Sequence, residues 1–445
     1  MLSKQEARNL ADKVLGYAKL PRCRINLFAS ETVFIRFANN GITTSGYRLT
    51  HSLSIASTTE DKRTGNAEVT EFSDEALRRG VEQAEAMARI SRPDPENMPP
   101  LGEQKYPEIA NFDDATGAAR GDTLIGHVKA AIDGARARKL TAAGFVERSA
   151  NQVAVANKAG LFGYHQFTTA DLTNTMRNAA GTSSGWANQT STAVKDLDGE
   201  AAARTAIDKC VNGDNRRRLD PGKYTVILEP AAVSDLIGYL GGSFDARSAE
   251  QGQSFLSRKG GKQGETLLGD KLFPEFITLR SDPFNPTLPA LPWGPSLLPN
   301  EKIAWIENGV VKNLFYDRFW ADKAGRKPTP YPGNLVLEGQ KHSVADLIAS
   351  VDQGILVTRF WYIRMLQPQT LQVTGLTRDG LFLVEKGKVT APLMNFRWNE
   401  SPVRVLQNTR MLSQPVSTQG AEADSSFAPA LVATDFNFAS ISDAV

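Results

Sequence analysis

Along the first 215 residues the apolar positions recur with two periods, near 3.6 and near 2. Ser3-Lys4-Gln5-Glu6 reads as a capping box, and Ala7, Leu10, Val14 and Tyr17 make the inner stripe of the helix it opens. Arg24–Ala29 and Glu31–Ala38 alternate as strands do; Asn39-Asn40-Gly41 is a turn signal, and a long strand region follows over Ile42–Thr58. Thr64–Thr70 leads to Ser73, the N-cap of a helix with Asp74 and Glu75 in its first turn and Leu77, Val81, Ala84 and Ala88 inside. Ser91–Pro100 ends that helix as a proline-rich surface link. The pattern predicts a further helix over Asp122–Leu140 and strands over Phe145–Ala156 and Phe162–Met176. It predicts a surface loop over the Ser/Thr/Gly/Asn-rich Thr182–Thr192 and a small helix over Gly199–Val211.

Polar, charged Asn212–Pro221 reads as a domain boundary. Beyond it Lys223–Glu229 is a short β-branched apolar run, the signature of a buried strand. Pro230 suits the first turn of a helix, where its missing N–H costs nothing; Val233, Leu236, Ile237 and Leu240 follow at helical spacing, and Gly241-Gly242 end the helix. From there the period is mostly two. Asn308-Gly309, between AWIE and VVKN, is a primed hairpin turn, and Leu381–Thr390 repeats the pattern around Lys386-Gly387. Ala345–Ser350 is a short helical patch and Ile355–Met365 is strand-like. The expected fold is α+β: an N-terminal α/β-type domain over residues 1–215, with helices packed on a curved sheet, then a mainly antiparallel β domain over 216–412. Ser413–Val445, polar and Ala/Ser-rich, reads as a weakly ordered tail.

Composition narrows the function classes. The 445 residues carry 51 basic and 49 acidic side chains, a formal charge of +2, so nothing draws the chain generally to nucleic acid or an anionic membrane. The basic runs Arg136–Lys139 and Arg216–Arg218 read as solvated helix ends or linker. No apolar run approaches the ~18 residues of a membrane span, and the N-terminus lacks the apolar core of a signal peptide, so the cytoplasm is the expected compartment.

Candidate chemistry is sparse. His51, His127, His165 and His342 are scattered, none followed by Glu, so no short-spaced metal-ligand pair exists. Cys23 and Cys210 form no CxxC and read as buried structural thiols. Gly260-Gly261-Lys262-Gln263-Gly264 lacks the spacing of a phosphate-binding loop, and Gly238, Gly241 and Gly242 make no GxGxxG. The strand–helix unit at Lys223–Leu240 carries no His or Cys; its only acids are Glu229 and Asp235. Pro283, Pro286, Pro289, Pro292 and Pro295 fall every third residue, the period of polyproline II. A stiff loop covering a sheet edge or cleft is preferred there to a ligand for a proline-reading domain. Arg359–Arg364 alternates, with Arg359, Trp361 and Ile363 on one face and Phe360, Tyr362 and Arg364 on the other. It reads either as an ordinary half-buried strand or as an edge that docks a peptide, through Arg359, Trp361, Tyr362 and Arg364.

Several segments, in order, resemble the TldD/PmbA family, also called modulators of DNA gyrase, and within it the TldE-like branch that binds no metal. They are Gly65–Pro99, Ala156–Gly163, Asp220–Ile237, Ile306–Leu314, Gly333–Gln340, Gly354–Thr358 and Val373–Val389. The resemblance implies a two-part α+β chain. Its TldD branch consists of zinc peptidases with a His-Glu-three residues-His motif on the helix after the Lys223–Glu229 strand, completed by a C-terminal Cys. Rough registration puts Gly238, Tyr239 and Ser243 at the motif's positions, and both cysteines precede residue 211. No residue there could hold zinc or activate its water. The resemblance therefore implies a non-catalytic subunit without cofactor of its own. It would pair with a TldD-like chain that holds the zinc, in a complex that trims leader peptides or degrades short unfolded polypeptides. Ile363–Gly375 departs from the family's glycine-rich wording, which suggests a divergent substrate. A homodimeric peptide-binding protein and an independent hydrolase are the alternatives.

Overall fold

The computed structural model describes residues 1–262 and 264–443; Gln263 of the glycine-rich stretch and the last two residues of the expected tail lie outside the described residues. The first half runs α1 (Lys4–Tyr17), β1 (Arg22–Ala38), β2 (Gly41–Thr58), β3 (Thr64–Val69), α2 (Asp74–Ile90), α3 (Asp114–Ala118), α4 (Gly121–Ala137), β4 (Thr141–Asn157), β5 (Phe162–Arg177), β6 (Ser184–Ser191) and α5 (Gly199–Asn212). Its strands form one antiparallel sheet in the order β3-β2-β1-β4-β5-β6.

Strand alternation puts one apolar stripe per strand on the helix side. There Ile25, Leu27, Leu53 and Ile55 meet α1 and α2, while Val33, Ile35, Val146 and Leu172 meet α4 and α5. Two expectations change. Arg24–Ala29 and Glu31–Ala38 are one strand, because Ser30 pairs across to Thr50 on one side and Asn151 on the other. The expected loop Thr182–Thr192 contains β6: the ladder to β5 satisfies the backbone of Ser184–Ser191, so its polar side chains cost the strand nothing.

The second half runs β7 (Gly222–Leu228), α6 (Pro230–Gly241), β8 (Leu279–Ser281), β9 (Ile303–Glu307), β10 (Val310–Val311), β11 (Leu335–Leu337), β12 (Gln353–Gln367), β13 (Gln372–Glu385), β14 (Lys388–Pro392), β15 (Asn395–Glu400), β16 (Thr409–Leu412), β17 (Val416–Thr418), β18 (Ser426–Ala428) and β19 (Leu431–Ser442). One sheet orders as β12-β7-β19-β15-β13-β14. Because β12 also pairs with β13, five of its strands close on themselves around Phe360, Phe396, Trp398, Phe436 and Phe438. The Phe360 and Trp398 rings lie 4.4 Å apart, within the range where tilted aromatic pairs attract. A second sheet orders as β10-β9-β8-β11-β18-β17, and α6 packs against strands of both.

The tail expected over 413–445 is the largest correction. Residues 431–442 are β19, held between β7 and β15, and β17 and β18 edge the second sheet. Phe436 and Phe438 are 1% exposed. The apolar positions of β19 lose their period to a bulge between Ala433 and Phe436, which hid the strand. The proline-rich loop 282–299 is a series of turns, with Asn285, Leu288 and Leu297 donating their N–H groups to Asp282, Asn285 and Gly294. It covers the first sheet: Trp293 and Leu297 pack on Val155 and Leu161, and the Tyr106 hydroxyl donates to the Leu297 carbonyl at 2.9 Å. Among the described residues no helix is long and apolar enough to cross a membrane.

Candidate functional site

β7 delivers α6 into the middle of the second half. Pro230 occupies the first turn, and Ala232, Val233, Leu236, Ile237 and Leu240 are buried along it. Glu229, just before the helix, makes no cap with its side chain; its carboxylate instead meets Lys209 of α5 at 2.5 Å. Asp235 is fully buried in α6 and accepts the N–H groups of Ala421 (3.1 Å) and Glu422 (2.8 Å). A side chain at Gly420 would stand 2.2 Å from the Asp235 carboxylate, so only glycine lets the chain approach this closely. Ser426 donates to Ser234 at 2.8 Å. The segment 419–426 is thereby strapped along α6.

Burial pushes the Asp235 carboxyl up to about 7, against the two backbone donors that favour its ionised form. Glu422 nearby reinforces the rise and Arg359 opposes it.

The strap decides what Gly238, Tyr239 and Ser243 can do. A Cβ on Gly238 would stand 2.8 Å from the Ala423 methyl. The Tyr239 hydroxyl donates to the Ile363 carbonyl at 2.9 Å. Ser243 donates to the Tyr239 carbonyl at 2.8 Å, closing the helix end. Gly238 and Tyr239 line a cavity of about 280 Å³ with Tyr331, Asn334, Glu422 and Ser426; Ser243 does not reach it.

The Arg359–Arg364 strand meets this site from the other side. Its alternation fails: the β12–β13 register shifts between Trp361 and Arg364, and Tyr362 takes φ +53°. Phe360 and Ile363 both turn into the core as a result, while Tyr362 is 58% exposed. The Arg359 guanidinium lies between Trp186 of β6 (4.5 Å) and Trp361 (5.3 Å), and its Nε donates to buried Asp379 at 2.8 Å. Arg378 covers Trp361 at 5.2 Å. Arg364 sits over Tyr362 at 5.4 Å and pairs with Glu422 of the strap at 3.1 Å. The fold thus brings the strand and the helix positions together, through Tyr239–Ile363 and Arg364–Glu422.

Residues 221–440 match the family model of the PmbA/TldA metallopeptidase C-terminal domain. The chain belongs to the TldD/PmbA family. A stretch of 164 residues is 27% identical to the uncharacterized protein MJ0231 of Methanocaldococcus jannaschii; it spans 34% of this chain and 37% of that relative. The fold is similar to that of TldE from Thermococcus kodakarensis, with a TM-score of 0.84 and 21% identity over 97% of this chain and 99% of that one. A protein described as a modulator of DNA gyrase from Thermotoga maritima gives 0.83 at 17% identity, over 97% and 100%. Another from Bacteroides thetaiotaomicron gives 0.82 at 18%, over 99% and 100%.

Zinc, the metal suggested by the TldD/PmbA resemblance, does not fit α6. Gly238 has no donor atom, the strap fills the space a side chain there would need, and Tyr239 and Ser243 spend their hydroxyls on carbonyls. Among the described residues, no three His, Cys, Asp or Glu side chains gather as a metal would require. Cys23 and Cys210 are buried, and burial raises both thiols. Asp379, Trp186 and Glu422 escaped the sequence reading, since each joins through a contact distant in sequence. Asp235 did leave a signal, as an acid on the apolar side of its helix.

Proposed function

We propose that this TldD/PmbA chain is a non-catalytic, TldE-like subunit of a two-chain zinc peptidase. A TldD-like partner carries the zinc, the activated water and the general base. This chain contributes chamber wall and a docking surface for the extended peptide, in a cytoplasmic complex that trims leader peptides or degrades short unfolded polypeptides. One observation supports the reading above others: the helix position registered with the first zinc ligand is a glycine, and Ala423 stands where an imidazole would begin. The docking surface is Trp361, Tyr362 and Arg364. Tyr362 offers an exposed ring, and Arg364 a half-exposed guanidinium able to meet peptide carbonyls or carboxylates. Arg359, committed to Asp379 and Trp186, holds Trp361 in place.

The test is metal analysis of the purified chain, with hydrolysis of an unstructured peptide measured alone and after adding a relative that carries the His-Glu-three residues-His motif. The expected result is no stoichiometric zinc and no turnover alone, with hydrolysis appearing in a complex of the two. Zinc held at α6, or peptide hydrolysis by the chain alone after chelation, would overturn the assignment.

A further inference from the structure

Three arginines from distant parts of the chain face one small cavity, with no carboxylate among its lining residues. Arg22 and Arg24 open β1 on the face opposite Cys23 and Ile25, which go into the core beneath α1 and α2. The register sets Arg22 opposite Thr58 of β2, and Thr58 opposite Thr64 of β3, so both hydroxyls share the arginines' face. Arg318, at the start of the short helix Arg318–Lys323, arrives from the second half and donates to the Pro99 carbonyl at 2.7 Å. Pro100 of the link after α2 and Leu297 of the proline-rich loop border the remaining space, about 160 Å³.

The positive charge there is unanswered. Elsewhere an enclosed guanidinium has its acid: Arg148 has Glu31, and Arg359 has Asp379. Among the described residues no carboxylate pairs with Arg22, Arg24 or Arg318, and Arg22 Nη1 lies out of water without a hydrogen-bond partner. Desolvation by the surrounding chain lowers Arg24 and Arg318 from the ordinary guanidinium value, and no acid counters it. Arg24 is nonetheless exposed, as a group facing an open cavity is. Enclosed charges that stay unpaired oppose folding, so protein interiors pair them.

The neutral donors serve the same end. The Thr58 and Thr64 hydroxyls lie 2.9 Å apart, and Asn97 donates to Thr64 at 3.1 Å. Whichever hydroxyl donates within the pair, one hydroxyl proton is left over.

We infer that this cavity binds a phosphoryl group, either as inorganic phosphate or at the end of a small phosphomonoester. Three guanidiniums and a spare hydroxyl proton exceed what the two coplanar oxygens of a carboxylate can accept, whereas a phosphoryl group presents three terminal oxygens in three directions. It also carries close to two negative charges at neutral pH, against one for a carboxylate. The volume of about 160 Å³ is roughly five times the share of one water molecule in the liquid. That admits a phosphoryl group with a few carbons and excludes a nucleotide or an extended peptide. The anion joins β1, the link after α2 and Arg318, and so ties the two halves of the chain. The cavity shares no residue with α6 or the strap, so the inference stands apart from the peptidase reading.

The test measures binding of inorganic phosphate, glycerol 3-phosphate and succinate to the full chain by titration calorimetry, in chloride buffer at fixed pH and ionic strength. Phosphate or the ester is expected to saturate a single site and to raise the thermal unfolding midpoint. The tighter of the two identifies the source of the phosphoryl group. Arg22→Gln and Arg24→Gln are each expected to weaken that binding about tenfold or more. Arg204→Gln, at an exposed ion pair on α5, should leave it unchanged. The anion-free variants supply a second readout. Arginines that serve an anion repel one another without it, so their loss leaves the unfolding midpoint level or higher; arginines that serve only the fold lower it when removed. Four results would each overturn the inference: no saturable binding of either phosphoryl probe, succinate binding as tight as theirs, binding untouched by the Arg22 and Arg24 substitutions, or a lowered midpoint in both anion-free variants. Zinc content and peptide hydrolysis do not enter these readouts, so the two readings fail separately.

Discussion

Asp235 is the residue whose chemistry is most altered by its surroundings. Its carboxyl, near 3.8 when free, is pushed up to about 7 by burial. Between those values the native state holds a proton that the unfolded chain has released, so the contribution of Asp235 to stability is greatest below about pH 4 and falls as pH rises toward 7. Asp235→Asn is expected to flatten that dependence, by up to about 1.4 kcal/mol per pH unit, in urea unfolding followed from pH 4.5 to 8. If the slope is unchanged in the variant, Asp235 is not the group that titrates. Gly238 gives a second residue-scale prediction. Gly238→His, made together with Tyr239→Glu and Ser243→His, is expected to lower stability by about 1–3 kcal/mol and to bind no zinc in equilibrium dialysis, because Ala423 stands in the way. Tight zinc uptake by that triple variant would show that the strap yields.

Among the elements, β12 shows how one local irregularity builds a surface. Tyr362 in the left-handed region lets Phe360 and Ile363 both face inward, which regular alternation forbids. The bulge leaves Trp361, Tyr362 and Arg364 outside, beside the strap. A β-branched residue tolerates positive φ poorly, whereas asparagine accepts it. Tyr362→Val is therefore expected to cost about 1–2 kcal/mol and Tyr362→Asn much less, in chemical denaturation. Equal effects would mean that the ring contacts of Tyr362 with Trp361 and Arg364, and not the backbone, set its worth.

The whole molecule is tied across its halves by a few charged contacts set beside apolar ones. Lys209 of α5 meets Glu229 at the entry to α6, and Trp186 of β6 stacks on Arg359 of β12. The Lys209–Glu229 pair has side chains 13% and 19% exposed, so solvent screens it weakly. Lys209→Ala leaves a carboxylate half a pair in a shielded place and is expected to cost about 3 kcal/mol. Adding Glu229→Gln should recover most of that loss. Thermal unfolding of the two single variants and the double gives the coupling; simple additivity would mean the pair does not join the halves.

What the chain determined by local order alone is its broad class and those elements whose signals lie within a few residues of one another. The capped helices at Ser3 and Ser73, the primed turn at Asn308-Gly309 and the Pro230 helix start are fixed by neighbours a few residues apart, so periodicity and turn chemistry expose them. The absence of imidazole and carboxylate at positions 238, 239 and 243 is equally a property of the sequence. Tertiary structure decided everything that depends on partners far along the chain. It made Leu431–Ser442 a central strand, because its bulged apolar pattern means little until β7 and β15 flank it. It brought Glu422 to Arg364 and Ala423 to Gly238 across spans that carry no sequence signal, since backbone N–H groups held by a buried carboxylate can come from any residue type. And it left the edge of β2 bare, which no stretch of twelve residues can announce, because an uncovered strand is defined by what fails to pack beside it.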